Sequence, residues 1–79
     1  MKHELKVKPE NYEAISSGKK KFEIRRNDQN YQVGDILCLK EWYRGRYTGR
    51  SLEKVVDYIY EGNGTHGISE KCCIMSLRD

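Results

Sequence analysis

The sequence is short of the residues that punctuate and staple small proteins: among 79 residues there are one proline, one tryptophan, one phenylalanine and three cysteines. A single proline, Pro9, excludes a proline-rich linker or low-complexity segment. An odd cysteine count, with Cys72 adjacent to Cys73, excludes the disulfide framework of a small secreted domain and points to a reducing, cytoplasmic compartment. Cys38, the vicinal pair, His3 and His66 lack zinc-ligand spacing, so no metal is expected, and no cofactor motif is present. No apolar run is longer than four residues, which excludes a membrane-spanning helix, and Lys2 to Pro9 has no apolar core of the kind a signal peptide needs.

What remains is a small, charged, β-rich chain. With 37% hydrophobic residues it must spend most of its apolar side chains on one thin core, so a single domain over residues 1–79 is expected. The net charge is +3, with a pI near 8.8, a mildly basic balance. The basic residues fall in two patches: residues 19–26 hold five Lys/Arg against one acid, and residues 40–54 hold Lys40, Arg44, Arg46, Arg50 and Lys54 against Glu41 and Glu53. Were they to meet, they would form one phosphate-attracting surface.

Alternation of apolar and polar residues predicts a first strand over Lys2–Val7, with His3, Leu5 and Val7 on one face. Pro9 suits the first turn of a helix, Glu10 and Glu13 suit its positive end, and Gly18 suits its left-handed cap. A second strand is expected over Lys20–Arg26, with Phe22 and Ile24 towards the core and Lys21, Glu23 and Arg25 on the other face. The polar turn at residues 27–30 leads through Val33-Gly34-Asp35 into an apolar strand over Ile36–Trp42. Tyr43–Gly49 reads as an Arg/Tyr loop, Ser51–Glu61 as a fourth strand, residues 61–69 as a glycine-rich loop and Lys71–Leu77 as the last strand. In the fourth strand Val56, Tyr58 and Tyr60 would share one face and Val55, Asp57 and Ile59 the other. The fold class is therefore mostly β with one short helix, in a small sheet curved enough to approach a barrel.

Several side chains admit a functional and a plain structural reading. Lys20 and Arg25 could hold a phosphate while Glu23 accepts from a base amino group, or Glu23 could simply pair with its cationic neighbours. Trp42 could stack on a base or plug the core. Arg44, Tyr47 and Arg50, with Tyr43 and Arg46, resemble a nucleic-acid surface but equally a solvated loop. Glu41 could form an acid–base pair with Lys20 or Glu23, or stand as an exposed carboxylate near Lys40. His66 could be a general base or an inert loop residue, and His3 reads as structural.

The spacing Gly18-x-Lys20-x-x-Glu23-x-Arg25 resembles the G-x-K-x-x-E-x-R signature of ASCH domains, members of the PUA-like superfamily. His3-Glu4-Leu5-Lys6, Phe22-Glu23-Ile24-Arg25, Val33-Gly34-Asp35, Glu41-Trp42 and Tyr47-Thr48-Gly49-Arg50 resemble the small bacterial and phage ASCH-like proteins grouped as DUF3850, over nearly the full length. The resemblance implies a PUA-like β-barrel with a cleft beside the signature strand, and RNA or a modified nucleotide as ligand. One ASCH branch is an amidohydrolase acting on acetylated cytidine; where it has a threonine nucleophile this chain has Glu23.

These readings make an RNA- or nucleotide-binding module the first expectation. Its site would comprise Lys20, Glu23, Arg25, Trp42, Arg44, Tyr47 and Arg50, with no membrane partner and no catalysis required. The alternative is a small hydrolase of a modified nucleoside or RNA using Lys20, Glu23 and Glu41. A third reading gives the Trp42–Arg50 segment a protein partner.

Overall fold

A computed structural model describes all residues, 1–79. Its elements run β1 (Lys2–Val7), α1 (Pro9–Ser16), β2 (Phe22–Arg26), β3 (Ile36–Tyr43), β4 (Arg46–Glu61) and β5 (Cys72–Arg78). The five strands form one sheet in the order β1-β3-β4-β5-β2. β1 runs parallel to β3, and the other pairings are antiparallel. The sheet curls so far that its two edge strands approach: Arg25 Nη2 of β2 donates to the Lys6 carbonyl of β1 at 2.7 Å. The result is a five-stranded half-barrel, mostly β with one short helix.

The helix forms where the sequence places it. Lys8 is extended (φ −69°, ψ 155°), Pro9 occupies the first turn and Glu10 sits beside the positive end. Gly18, at φ 81°, takes the left-handed conformation that ends the helix. Eight residues are too few to be stable alone in water, so the helix depends on burying Tyr12 and Ile15 against the sheet interior.

Leu5 and Val7 of β1, Leu37 and Leu39 of β3, Val56 of β4, and Cys73, Met75 and Leu77 of β5 complete that interior, together with Tyr31. The alternation of β1 is borne out, with His3, Leu5 and Val7 buried. β3 is buried on both faces. Its outward Cys38 lies between Glu4 and Glu53 in register, and the ion pairs Lys40–Glu4 (3.1 Å) and Lys2–Glu53 (2.6 Å) flank it.

Three expectations need correction. The faces of β2 are inverted: Phe22 and Ile24 are 42% and 54% exposed, while Glu23 is 5% exposed. Pairing with β5 decides this, because Glu23 stands opposite Met75 and Arg25 opposite Cys73, both fully buried partners. Tyr43–Gly49 is not a loop. Arg44 and Gly45, at φ 51° and 82°, form a two-residue turn between Tyr43 and Arg46, and such primed turns match strand twist. Finally, β4 does not alternate regularly. Val56 pairs with Leu77 but Tyr58 with Ser76, leaving Asp57 as an extra residue. That bulge puts Val56 and Ile59 inward and turns Tyr58 and Tyr60 outward.

Candidate functional site

The curled sheet leaves a seam between β1 and β2, and polar groups gather there. Glu23 Oε2 accepts from Arg25 Nε at 2.7 Å, and the same guanidinium reaches the Lys6 carbonyl across the seam. Beside this pair, His3 Nε2 lies 2.7 Å from Asp35 Oδ2, and His3 Nδ1 lies 3.2 Å from Gln29 Oε1. The His3 ring meets Tyr31 edge-on at 4.7 Å. The hydrogen bond from His3 is the largest influence holding the Asp35 carboxyl down to about 2, and burial pushes the Tyr31 phenol up. Burying a charge is tolerated only when it is paired; here every buried side-chain nitrogen and oxygen has a partner.

Glu41 makes a third buried carboxylate, at the end of β3. Lys40 pairs with Ser51 and Trp42 with Tyr47, so Glu41 faces three residues of β4: Thr48, Gly49 and Arg50. Gly49, at φ 97°, permits this bulge. Thr48 Oγ1 donates to Glu41 at 2.6 Å, and Arg50 grips both oxygens, through Nε at 3.0 Å and Nη2 at 2.8 Å. Arg50 Nη2 also reaches Glu13 of α1 at 2.5 Å, and the guanidinium lies 4.6 Å from the Tyr12 ring centroid. Arg50 first, then Thr48, holds the Glu41 carboxyl down to about 2. The cluster therefore ties the hairpin to the helix with an ionised acceptor.

Where the helix ends, the surface opens into a depression of about 270 Å³ lined by Gly18, Lys20, Lys21, Lys54, Arg78 and Asp79 over a floor of Ile15 and Leu77. Lys20 Nζ donates to Asn11 Oδ1 at 3.0 Å, and Lys54 is paired with Asp79. Lys20 and Lys21 have no carboxylate within 4.0 Å. Arg78 Nε lies 3.4 Å from Asp57 Oδ1, so Lys20 and Lys21 are the two cations of this lining without a carboxylate partner.

At the hairpin end, Trp42 is half-buried on the outer face rather than in the core. Its ring meets Tyr47 edge-on at 4.8 Å, and Lys6 Nζ lies 4.1 Å from its centroid. Arg44 lies in the turn, beside the Tyr43 ring.

The residues named from sequence thus separate. Lys20 lines the helix-end depression. Glu23 and Arg25 lie at the seam, paired with each other. Glu41 and Arg50 lock the bulge, while Trp42, Arg44 and Tyr47 gather at the hairpin. Lys21 and Lys54 belong to the two basic patches of the sequence, whereas Arg78 of the depression, Thr48 on Glu41 and the His3–Asp35 couple are members of these groups that the sequence does not mark as such. Arg78 carries no local signal, since strand pairing alone brings it beside Lys54 and Lys21. Asp35, directly after a glycine and ahead of an apolar strand, stands out in the sequence only as the entry to that strand, and its pairing with His3 arises from β1 lying beside β3.

A curled half-barrel with one docked helix, polar couples along its seam and a cationic depression at the helix end defines a small β-domain class. Within it, the chain belongs to the family described as "Domain of unknown function (DUF3850)", whose profile matches residues 2–77. It is similar to the "Uncharacterized 12.9 kDa protein in GpA 3'region" of Escherichia phage P2, with 43% identity over 51 residues, 65% of this chain. The aligned part is 47% of that relative, so the chain spans about half the length of the curated relative it matches. Its fold resembles the crystal structure of hypothetical protein PH0355, with a TM-score of 0.69 at 18% identity, covering 98% of this chain and 97% of that one. No helix is long and apolar enough to cross a membrane.

Proposed function

We propose that this protein is an RNA- or nucleotide-binding module of the ASCH type, which holds phosphate at the depression beside the Gly18–Arg25 segment. One observation carries the reading: Lys20, Lys21, Lys54 and Arg78, from three separate parts of the chain, converge on one open depression, and two of them lack a carboxylate partner. Such convergence costs repulsion in the free protein, which an anion relieves. The ordered match to the ASCH signature adds RNA or a modified nucleotide as the anion. Glu23 and Arg25 do not line this depression, and their charges are already spent on each other and on the Lys6 carbonyl.

The test is the binding of a short single-stranded RNA across a salt series. Affinity falls steeply as salt rises, because cations on the protein release counterions from the phosphates. Replacing both Lys20 and Lys21 with Ala weakens binding and lowers the slope of log K against log salt by roughly one to two. Absence of binding at low salt, or an unchanged slope in the double variant, overturns the proposal.

A further inference from the structure

The hairpin end carries a second cationic group, built around an exposed ring. Tyr47 is 48% exposed, yet Trp42 holds it edge-on from the neighbouring strand. Beside it lies a depression of about 250 Å³ lined by Tyr47, Lys40, Gly49, Arg50 and Ser51. Lys40 Nζ is 5.5 Å from the Tyr47 centroid, and Arg50 is fixed in direction by Glu41 and Glu13. Gly49 leaves the floor open, with nothing within 4 Å of where a side chain would start. The nearby acids are engaged: Glu4 with Lys40, Glu41 with Arg50. Lys6, Arg44 and Arg46 have no carboxylate within 4.0 Å.

We infer that this depression takes one unpaired base of a single-stranded RNA, stacked on Tyr47, with the flanking phosphates met by Lys6, Arg44 and Arg46. The inference rests on the reading above that the ligand is RNA, and it makes that ligand a strand rather than a mononucleotide. An aromatic wall between cations, with no free acid, suits a flat π-face joined to phosphate. An aliphatic ligand would leave the cations uncompensated. A base in a duplex has both faces covered by its neighbours, whereas an unpaired base can enter from the side. Trp42 braces Tyr47, so little ring freedom is lost on stacking.

The experiment compares hexa-adenylate RNA with an abasic ribose–phosphate polymer of equal length, at low salt and with the full chain. Trp42 is the only tryptophan, so its emission reports on this end. Hexa-adenylate should change that emission saturably and bind roughly tenfold more tightly than the abasic polymer, in line with one stacked base. Tyr47→Leu, which keeps apolar contact with Trp42 but removes the ring, should bring hexa-adenylate affinity down to that of the abasic polymer, while Tyr47→Phe retains it. Equal affinity for the two polymers, or full affinity in a folded Tyr47→Leu variant, overturns the inference. If binding still depends on Lys20 and Lys21 in that case, the helix-end reading stands alone. No binding of either polymer at low salt overturns both.

Discussion

Lys20 and Arg25 lie five residues apart in one basic stretch, yet they stand in opposite surroundings. Arg25 is half-buried and committed, with one nitrogen on Glu23 and another on a backbone carbonyl of the opposite edge strand. Lys20 is held only by an asparagine, at the rim of a depression shared with three other cations. Arg50 and Arg44 repeat the contrast at the hairpin, the first locked on Glu41 and the second in an open turn without a carboxylate. Cations that face a buried carboxylate hold the fold together, and those without a carboxylate, Lys20 and Lys21 at the helix end and Arg44 at the turn, are the ones the proposed binding function uses. The difference lies in geometry as much as in chemistry: a guanidinium fork satisfies two acceptors at once, whereas an ammonium is a compact charge on a flexible stem.

The largest test of this contrast is Glu23→Ala, which leaves the Arg25 charge at the seam without its carboxylate. Breaking a buried pair in this way costs about 3 kcal/mol, and the thermal midpoint should drop by more than ~10 °C. Acid should act on the other committed carboxylates. Asp35 and Glu41 ionise more readily in the folded chain than at their ordinary values of 3.8 and 4.5. Their stabilisation is therefore fully present above about pH 4.5 and is lost as pH falls towards about 2. Urea midpoints at pH 7, 4 and 2.5 should decline in that window, and Glu41→Gln should flatten the decline while lowering the midpoint at pH 7.

Smaller effects follow. Arg25→Lys retains the charge but cannot serve both Glu23 and the Lys6 carbonyl, so a loss of about 1 kcal/mol is expected in chemical denaturation. Lys20→Ala with Lys21→Ala should change stability by no more than about 0.5 kcal/mol while weakening RNA binding, which separates ligand cations from structural ones. Ile24→Thr should be nearly silent, within about 0.5 kcal/mol, because the side chain faces outward; a core isoleucine at this position would cost several-fold more. A large loss in Ile24→Thr would reverse the assignment of faces on β2, and with it the commitment of Arg25.

Much of the fold was legible from local rules. Pro9, Glu10 and Gly18 mark the helix because each obeys a constraint of its own turn, and β1 and β3 announce themselves by alternation and by an apolar run. The errors share one cause. Phe22 and Ile24 have the more apolar side chains of β2, so hydropathy assigns them inward. The pairing with Met75 and Cys73 places Glu23 and Arg25 there instead, and their mutual bond makes that burial tolerable. The Arg/Tyr stretch reads as a loop because Arg44 at positive φ is not an obvious turn residue. Gly45 beside it is the only local hint of the hairpin.

The candidate site was legible in part. Lys20 and Tyr47 stand where a ligand can reach them, and Trp42 backs the second. Lys54 meets Arg78 through the β4–β5 pairing, and both reach Lys20 and Lys21 only because β5 also pairs with β2, where Leu77 N–H donates to the Lys21 carbonyl at 2.9 Å.

The sequence by itself determined the number and kind of elements, the helix limits and the mildly basic balance, because these depend on neighbours within a few residues. The tertiary structure alone decided which face of β2 turns inward, which carboxylate each arginine takes, and where the unpaired cations collect. Those outcomes depend on strand register, and two bulges in β4 shift that register at positions no periodicity marks.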